Sequence, residues 1–551
     1  MTRADVIVVG GGPAGSTAAT MLARKGWSVL LFEKERFPRD HIGESLLPAS
    51  LPILEELGAL DAVRAEGFLD KYGATMVWGA GRETWSWYFR ETNRTHPSAF
   101  QVWRPRFDQI LLENAARHGV DVREGHRVLE VEPLSPLTEA PAGRDIRVRY
   151  AGPDGVANEA TAGFVVDASG QEGLIGRRLG LREADEHFRN LAVYAYFEGC
   201  QRLPSPDETN ILIESFENGW LWLIPLQSGW MSVGAVVDHQ FGSEGIRSAG
   251  AEAFLRAQIA AAPNAARMLR DATLVKGPNV LRDWSYSSRD VVGARWVLAG
   301  DAACFIDPLF STGVHLALSA GVLAAAYVTT ALKDPGMAVP AAAVYKDLYY
   351  SQYHLFRQLA GLFYSTNRSI DSYFWEARRI IGDESLAPRS AFIRAVAGQP
   401  PKGYERAVLE RGEAPEGLVS GLRALVSDRA ERRERFDAAL AKPGPGVTAL
   451  HSAVPVLAAA VSIDHRPVLA DGEFEWGEVL VSEGRPEGTA VSGFVARLVE
   501  LADGRRNVAA IAAAMAELAG ASPAAVTGNV LSAIGVLYAE GAIERLAGID
   551  D

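Results

Sequence analysis

Cysteine is almost absent from this chain, because only Cys200 and Cys304 occur among its 551 residues. Two cysteines cannot build a disulfide framework or a thiolate metal cluster, and no Cys/His spacing in the sequence is typical of a metal site. We therefore expect no bound metal and a location in the reducing cytoplasm.

Positive charge is scarce as well. The chain has 55 Lys and Arg residues against 68 Asp and Glu residues, which gives a net charge of −13. A surface of this sign repels phosphate groups, so the sequence argues against a nucleic acid or a membrane as partner. With 48% hydrophobic and 22% charged residues, the composition is that of a globular protein.

Signals for membrane insertion are weak. The N-terminal apolar run leads directly into glycines, which favours a first β-strand over a signal peptide. Residues 313–332 carry no formal charge, but this stretch is built largely of Ala, Gly, Ser and Thr and contains His315. It is long enough to span a membrane but too polar for one, so we predict a buried helix.

A glycine fingerprint follows the first predicted strand. Residues 6–9 (VIVV) predict a strand, residues 10–15 (GGGPAG) a tight turn, residues 16–25 a helix, and VLLFEK a second strand. This βαβ unit is typical of dinucleotide binding, with the pyrophosphate at the helix N-terminus and an acidic residue on the ribose; the alternative is a glycine turn in a plain βαβ unit. The residues that we assign to the nucleotide are Gly10, Gly12, Pro13, Ala14, Gly15, Glu33 and Lys34.

Two later strands end at the same predicted site. RWVLAGD ends in Gly300 and Asp301 before the uncharged helix, and FVVDASG at 164–170 ends in an Asp turn. The Asp301 carboxylate can accept hydrogen bonds from a ribityl chain, while the following helix directs its positive end at a flavin ring. No second glycine fingerprint marks a site for a tightly bound nicotinamide nucleotide, so we expect reducing equivalents to arrive by diffusion.

The rest of the chain predicts a sheet and then a helical region. Aromatic-rich runs (GATMVWG, ETWSWYF, LAVYAYFEG and WLWLIPL) predict an antiparallel sheet over a substrate cavity. Helical patterns dominate after about residue 335, and strands and two helices from about residue 474 resemble a winged-helix module. Its helix from Ser522 to Ala539 contains no Lys or Arg, so we interpret the module as a packing element and not as a DNA reader.

Five motifs, in the same order, resemble those of the flavin-dependent halogenases, a group within the flavoprotein monooxygenases of the p-hydroxybenzoate hydroxylase type. They are GGGPAG (10–15), HIGESLLP (41–48), KYGATMVWG (71–79), WLWLIP (220–225) and GDAACFIDPLFSTGVH (300–315). WLWLIP is the discriminating one, because the glycine and Gly-Asp motifs occur in all flavin monooxygenases. The resemblance covers roughly residues 1–370.

This resemblance implies an α/β fold with two regions. Residues 1–370 are expected to combine a Rossmann-like FAD-binding domain of the GR2 type with an interleaved antiparallel substrate sheet. Residues 371–551 are expected to form a mainly helical region with a winged-helix-like end.

The resemblance also implies a reaction. FADH2 from a separate flavin reductase, O2 and chloride or bromide give hypohalous acid, which travels to a lysine beside the substrate. Lys71 matches this lysine, and an amine is needed there because a guanidinium group is too basic to be halogenated. The bulky neighbours Tyr72, Met76 and Trp78 are expected to desolvate the amine and lower its pKa. Taken alone, a lysine is most often a solvated surface group.

Other family positions carry over residue by residue. The halide is expected at the backbone of Thr312 and Gly313, where Ser311 and Thr312 also suit a helix cap. Enzymes specific for free tryptophan have a glutamate where this chain has Phe310, so free tryptophan is not the expected substrate. Glu44 is a candidate for the missing catalytic carboxylate, or it caps a helix that begins near Ser45.

Further residues are expected to enclose the cofactor and the substrate. Trp220 and Trp222, with Pro225 closing the motif, match a wall that keeps substrate from the flavin, although alternating tryptophans are often core packing. Arg104 matches an FAD-contacting arginine and is otherwise a surface cation. Asp283 is expected near the flavin, or in a plain strand-end turn, and Tyr350 in the substrate pocket.

The expected substrate is an electron-rich phenol or pyrrole, free or tethered to a carrier protein, in specialised-metabolite biosynthesis. The alternatives are halogenation of an activated aliphatic acyl group, and hydroxylation by a flavin-dependent monooxygenase of the same fold. A flavin-binding redox sensor that reads DNA is a further alternative, which the missing cations of 522–539 oppose.

Overall fold

The protein is described here by a computed structural model. It describes residues 2–79, 83–137, 145–365, 370–381, 387–398, 427–441, 449–482 and 485–550. Contacts divide the chain into a first unit, residues 1–381 and 388–399, and a second unit, residues 382–387 and 400–551. The first unit therefore continues past residue 370, the last residue of the expected first region.

Strands and helices are numbered in chain order. The strands are β1 (Thr2–Val9), β2 (Val29–Glu33), β3 (Leu69–Lys71), β4 (Gly73–Val77), β5 (Thr84–Tyr88), β6 (Ala99–Gln101), β7 (Asp121–Glu124), β8 (Arg127–Glu132), β9 (Ile146–Ala151), β10 (Ala157–Asp167), β11 (Arg182–Glu198), β12 (Ile211–Phe216), β13 (Gly219–Pro225), β14 (Met231–Asp238), β15 (Thr273–Ser288), β16 (Trp296–Leu298), β17 (Val454–Leu457), β18 (Ser462–Ala470), β19 (Glu473–Ser482), β20 (Arg485–Val491) and β21 (Ile543–Ala547). The helices are α1 (Pro13–Arg24), α2 (Ser50–Glu56), α3 (Leu60–Ala65), α4 (Arg104–Arg117), α5 (Leu174–Arg178), α6 (His239–Ala249), α7 (Ala251–Ala261), α8 (Pro263–Met268), α9 (Gly313–Lys333), α10 (Ala338–Ser365), α11 (Ile370–Ile381), α12 (Pro388–Val396), α13 (Ser427–Ala441), α14 (Gly493–Leu501), α15 (Val508–Leu518) and α16 (Pro523–Ala539).

The first sheet is the predicted nucleotide-binding sheet. Its strands follow the order β7-β2-β1-β10-β9-β8, and β16 also pairs with β10. The pairs β1–β2, β1–β10 and β10–β16 are parallel, so their carboxyl ends lie at one edge of the sheet. The apolar residues of β1 and β2 are buried, as expected for a parallel sheet covered on both faces.

The second sheet contains all the predicted aromatic-rich strands. Its order is β15-β11-β14-β13-β12-β4-β5, and the pairs from β15 to β12 are antiparallel, as is β4–β5. The predicted antiparallel sheet has one parallel pair, β4 with β12. Pairing partners so distant along the chain leave no signal in the local sequence pattern.

Helix α9 is the uncharged helix of the sequence. It is long and apolar enough to cross a membrane, but 72% of its apolar window is buried inside the structure. Gly321 brings α9 against α1, because a Cβ atom at this position would lie 2.6 Å from the carbonyl oxygen of Ala14. The prediction of a buried helix is confirmed, and the packing places the N-termini of α1 and α9 in one region of the first unit.

The second unit has its own core of side chains from α13 to α16, β17 and β21. Its described strands form a three-stranded sheet, β18-β19-β20, and the pair β17–β21. Helix α16 begins after Ser522, and Gly541 adopts a φ of +80° behind its end. The sequence predicts two helices after the strands, but α14 precedes them as a third, capped by the Ser492 side chain on the backbone N–H of Val495.

Candidate active site

A cavity of about 480 Å³ opens at the carboxyl edge of the first sheet. Its walls include the ends of β1 and β2, the turn after β10 and the start of α9. Crevices at the carboxyl ends of parallel strands are the usual ligand sites of such folds, because strand ends and helix N-termini present unpaired backbone groups there.

The glycine turn forms one wall of this cavity. Gly10 has a φ of +105°, and a Cβ atom there would lie 2.3 Å from the carbonyl oxygen of Ala168. A Cβ atom at Gly15 would lie 1.9 Å from the carbonyl oxygen of Gly10, so Gly15 supports the turn from behind. The predicted nucleotide residues that line the cavity are Gly10, Gly12, Pro13, Ala14, Glu33 and Lys34.

Glu33 is buried at the end of β2 and orders the backbone around it. Its carboxylate accepts hydrogen bonds from the backbone N–H groups of Gly11 at 2.7 Å and Glu35 at 2.8 Å. Lys34 lies at the rim, where its ammonium group is 2.6 Å from Glu172. Arg127 contacts the same Glu172 at 2.6 Å, so two cations and one carboxylate border this end of the cavity.

Asp301 and Arg104 supply opposite charges to the cavity wall. Gly300, with a φ of +62°, turns the chain after β16, and burial raises the pKa of Asp301 to about 6. The Asp301 carboxylate accepts no hydrogen bond from the described part of the chain. Arg104 is buried and forms an ion pair with Asp108 at 2.8 Å, which excludes the surface-cation alternative.

Trp220 and Trp222 lie on the same face of β13 and line the cavity. Trp220 donates a hydrogen bond of 2.5 Å to the Tyr364 hydroxyl, and Trp222 donates one of 3.2 Å to the Ser232 hydroxyl. Their ring centroids are 6.0 Å apart. The two indoles are thus both packed and held in fixed orientations. Pro225 ends β13 and does not line the cavity.

Lys71 lies at the end of β3 and is only 2% exposed. Its Nζ donates a hydrogen bond of 3.0 Å to the carbonyl oxygen of Leu46 and lies 5.4 Å from the centre of the Phe89 ring. Burial lowers its pKa from 10.5 to about 7, as expected from a desolvated amine. Tyr72, one of the neighbours expected to cover it, is 45% exposed, so the lysine is desolvated by other groups.

Glu44 lines the cavity, and Leu46, two residues later, binds Lys71. The Glu44 carboxylate accepts a hydrogen bond of 2.8 Å from the Tyr196 hydroxyl and one of 3.1 Å from the backbone N–H of Gly43. Burial raises its pKa. Helix α2 begins only at Ser50, so Glu44 is not the cap of a helix that begins near Ser45.

The turn before α9 holds the residues expected to bind halide. Gly313 lines the cavity, and the neighbouring Thr312 is buried. Thr312 occupies the N-cap position of α9, but its side chain makes no capping hydrogen bond. Ser311 adopts the left-handed conformation, with a φ of +58°. The first turn of α9 therefore faces the cavity with its backbone.

Two other expected site residues do not line this cavity, and a third cannot be placed. Phe310 is buried among aromatic rings and makes edge contacts with Phe363 at 5.1 Å and Phe392 at 6.2 Å. Tyr350 donates a hydrogen bond to the backbone carbonyl of Ser288 and does not line the cavity. Asp283 belongs to β15, and its side chain is outside the described part of the structure.

Comparison with known proteins decides the family. A family model described as tryptophan halogenase matches residues 5–98 and 90–401. A tryptophan 2-halogenase of Chondromyces crocatus is 37% identical over 381 residues, which cover 69% of this chain and 71% of the relative. The chain belongs to the flavin-dependent halogenases.

Solved halogenase structures agree with this assignment. The myxobacterial chondrochloren halogenase CndH has a TM-score of 0.63 and 40% identity over 72% of this chain and 91% of its own. The flavin-dependent halogenase CmlS has a TM-score of 0.67 and 29% identity over 97% of this chain and 96% of its own. The expected enzyme class is confirmed, and with it FAD as cofactor and a halide and O2 as the small molecules that the family uses.

The halogenase cavity fits FAD by its donors and acceptors. Backbone without side chains at Gly10 and Gly12 suits a pyrophosphate, and the unengaged Asp301 carboxylate suits a hydroxyl-bearing chain. Sequence reasoning missed the support of this site by Asp108, which accepts hydrogen bonds from Arg104 and lies 3.6 Å from Arg39. The spacing of Arg104 and Asp108, four residues apart on one helix, was a readable signal.

Proposed function

We propose that this halogenase transfers chlorine or bromine to an electron-rich phenol or pyrrole ring by way of Lys71. The observation that carries the proposal is the environment of this amine. It is buried, and its pKa is about 7. It donates a hydrogen bond to the backbone of Leu46, and the two residues before Leu46, Glu44 and Ser45, line the cofactor cavity. A lysine exposed to solvent would have none of these properties.

With a pKa of about 7, Lys71 has both the neutral amine and the ammonium form available at physiological pH. A neutral amine reacts with hypohalous acid to form a haloamine and water, in which nitrogen carries the halogen in place of one hydrogen. Alternatively, the ammonium form donates a hydrogen bond to the acid and polarises it. Either form delivers the halogen as an electrophile to a ring carbon, and the ring then loses a proton to restore aromaticity.

The other proposed site residues bind the halide and separate the flavin cofactor from the organic substrate. Bound FADH2 would supply two electrons to O2 and the halide the other two, so that one oxygen atom ends in hypohalous acid and the other in water. The backbone of Thr312 and Gly313, at the positive end of α9, is the proposed halide site. Trp220 and Trp222 separate the organic substrate from the cofactor, and hydrogen bonds hold both rings in place.

Glu44 is the proposed second catalytic residue. It is buried, it faces the cavity, and its carboxylate accepts a hydrogen bond from the Tyr196 hydroxyl, which orients it toward a ligand in the cavity with which it can exchange a proton. Because the raised pKa of Glu44 favours the neutral acid, the residue can donate as well as accept. It has no hydrogen bond to Lys71, so the proposed cooperation between them passes through the ligand.

The surroundings of Phe310 support a substrate other than free tryptophan. A carboxylate at this place would be buried among the rings of Phe363 and Phe392 without a polar partner. One relative is named a tryptophan 2-halogenase, and another, from Pseudomonas fluorescens, is named a chlorinase of a pyrrole carbonyl group on a peptidyl carrier protein and is 34% identical over 60% of this chain and 76% of its own. We favour the second substrate type.

The proposed partners follow from the chemistry. A flavin reductase supplies FADH2, and a carrier protein presents the substrate if it is tethered. Both described cysteines are free, and Cys304 is buried, which suits the proposed cytoplasmic location.

An assay with a substrate panel tests the proposal. The purified protein is combined with FAD, a flavin reductase, NADH, O2 and chloride or bromide, and offered phenols, pyrroles, their carrier thioesters and free tryptophan. Mass spectrometry then reads the halogen isotope pattern of each product. We expect halogenated phenol or pyrrole and none from tryptophan. Preferred halogenation of tryptophan, or oxygenated products that do not depend on halide, would overturn it.

A further inference from the structure

The short strand β6 connects the cofactor cavity to Lys71. On one side, β6 pairs with β3, so that Lys71 lies opposite Ala99 and Leu69 opposite Gln101. On the other side, Ser45 forms an isolated antiparallel bridge with Gln101. The three chain segments therefore form a small sheet that begins at the cavity wall, where Ser45 lies, and ends at the catalytic amine.

The pairing register puts the polar side chains on one face of this small sheet. Opposite residues of an antiparallel pair share a face, and so do residues two apart in one strand. Ser45, Gln101, Ala99 and Lys71 consequently share one face. The small side chain of Ala99 leaves room for Lys71 to extend across β6, and its Nζ reaches the carbonyl oxygen of Leu46 at 3.0 Å.

Two polar atoms on this face have no partner. The Ser45 hydroxyl and the Gln101 carbonyl oxygen are buried and make no hydrogen bond within the described part of the chain. Ser45 is 3% exposed and Gln101 is fully buried, while the Gln101 amide nitrogen donates to the carbonyl of Thr209 at 3.1 Å and is thereby oriented. A single small ligand with one O–H group can satisfy both an unpartnered donor and an unpartnered acceptor when they share a face at the cavity wall.

The backbone holds these two residues close together. The bonds from Leu46 N–H to the Phe100 carbonyl, 2.9 Å, and from Val102 N–H to the Glu44 carbonyl, 2.7 Å, flank the Ser45–Gln101 pair. This is the more closely spaced type of antiparallel pair, with Cα atoms about 4.5 Å apart. The hydroxyl and the acceptor oxygen thus belong to paired residues in the strand arrangement that joins the cavity wall at Ser45 to the strand of Lys71.

We propose that the Ser45 hydroxyl and the Gln101 side-chain carbonyl bind hypohalous acid on its way from the cofactor cavity to Lys71. The acid is small, carries one O–H group and has oxygen lone pairs, so it donates to Gln101 and accepts from Ser45. No covalent bond is made or broken while the acid is bound by Ser45 and Gln101. The inference rests on the proposed function, because it needs Lys71 as the receiver of the oxidant.

The role of Ser45 and Gln101 is tested by comparing how much hypohalous acid halogenates the substrate with how much escapes into solution. Product is counted as halogenated substrate, and escaped hypohalous acid is trapped in solution by a thioether, which it oxidises to a sulfoxide. In Ser45→Ala, read at saturating FAD, we expect the ratio of halogenated substrate to sulfoxide to fall about three- to tenfold, as for loss of one hydrogen bond. An unchanged ratio with FAD bound would overturn the inference.

Control variants distinguish loss of the Ser45 hydroxyl from a change in packing at this position. Ser50→Ala removes another buried hydroxyl without a partner, at the start of α2 and away from the cavity lining, and should keep the wild-type ratio. Ser45→Thr retains the hydroxyl and should restore most of the ratio. If Ser45→Thr loses as much product as Ser45→Ala, the effect belongs to packing and the inference is overturned.

A second residue and a Lys71 variant complete the test. Gln101→Leu removes the acceptor oxygen and should lower the same ratio, read on folded, FAD-bound protein, and an unchanged ratio counts against the inference. Lys71→Ala tests the proposed function separately. Retained halogenation in Lys71→Ala would remove the proposed function itself, whereas lost halogenation there with an unchanged ratio in Ser45→Ala would remove only the present inference.

Discussion

At the scale of single residues, the site depends on groups that are charged in water and are held here in apolar surroundings. Lys71 and Glu44 are buried and Asp301 is half-buried in the cavity wall, and in each case desolvation shifts the pKa toward the neutral form. Neutral forms of an amine and of carboxyl groups extend the proton transfers available at physiological pH. Burial of the Lys71 amine also lowers the stability of the folded chain while the amine would be protonated in water. The pH dependence of the free energy of unfolding therefore reports on Lys71 without an activity assay.

The pH dependence of stability reports the buried lysine. Burial lowers the pKa of Lys71 from 10.5 to about 7, so the unfolded chain binds more protons at this residue between these pH values, and the free energy of unfolding rises with pH there. The rise approaches about 1.4 kcal/mol per pH unit. Denaturant titrations should show a flatter pH dependence in Lys71→Met than in wild type. Equal slopes in wild type and Lys71→Met would contradict the buried position.

The glycine turn offers a matched pair of substitutions. Gly10 and Gly26 both have positive φ, but a Cβ atom meets the Ala168 carbonyl at 2.3 Å at Gly10 and nothing within 4 Å at Gly26. Backbone strain of about 1–3 kcal/mol is expected in both alanine variants. Only Gly10→Ala should weaken FAD binding, by about tenfold or more. Flavin titration distinguishes them, and equal FAD affinity in the two variants would disprove the role of the turn.

At the scale of elements, two helices bring the ends of distant segments to one cavity. Helix α1 follows the glycine turn and α9 follows the turn at Thr312, and both N-termini face the cavity wall. Their close approach depends on Gly321. The sequence predicts each helix from its own pattern, but the contact between them depends on a glycine that the pattern of α9 alone does not explain.

A helix-packing comparison tests this contact. A Cβ atom at Gly321 would lie 2.6 Å from the Ala14 carbonyl and 2.7 Å from the Thr17 Cβ atom, whereas at Gly361 in α10 it makes an ordinary contact of 3.8 Å. Gly321→Ala should lower stability by about 1–3 kcal/mol and weaken FAD binding. Gly361→Ala should be neutral or stabilising by up to about 1 kcal/mol, since alanine favours helix. Thermal unfolding checks both, and a stable Gly321→Ala protein would contradict the packing account.

At the scale of the whole molecule, local patterns predict much of the first unit. The βαβ unit, the buried helix α9 and the strand of Trp220 and Trp222 follow from apolar runs and glycines that lie close together in the sequence. The parallel pair β4–β12 and the bridge between Ser45 and Gln101 could not be predicted, because each joins segments that are far apart in the chain. The placement of Ser45 therefore emerges only from the folded chain.

The number of nucleotide-binding motifs in the whole sequence bears on where the electrons come from. The sequence has one glycine fingerprint, at residues 10–15, and no second one for a nicotinamide nucleotide. We expect no halogenated product from NADH, FAD, O2 and halide without a reductase. FAD reduced chemically and added before O2 should restore the product. Turnover driven by NADH alone would reveal a nicotinamide site and contradict this expectation.

The most direct test of the central claim compares wild type with Lys71→Ala in the complete assay. Three quantities are measured on the same samples: bound FAD, hypohalous acid trapped by a thioether, and halogenated substrate. The account predicts that Lys71→Ala keeps FAD and still releases hypohalous acid, but forms no halogenated substrate. Halogenation at the wild-type rate and at the same ring position would contradict it.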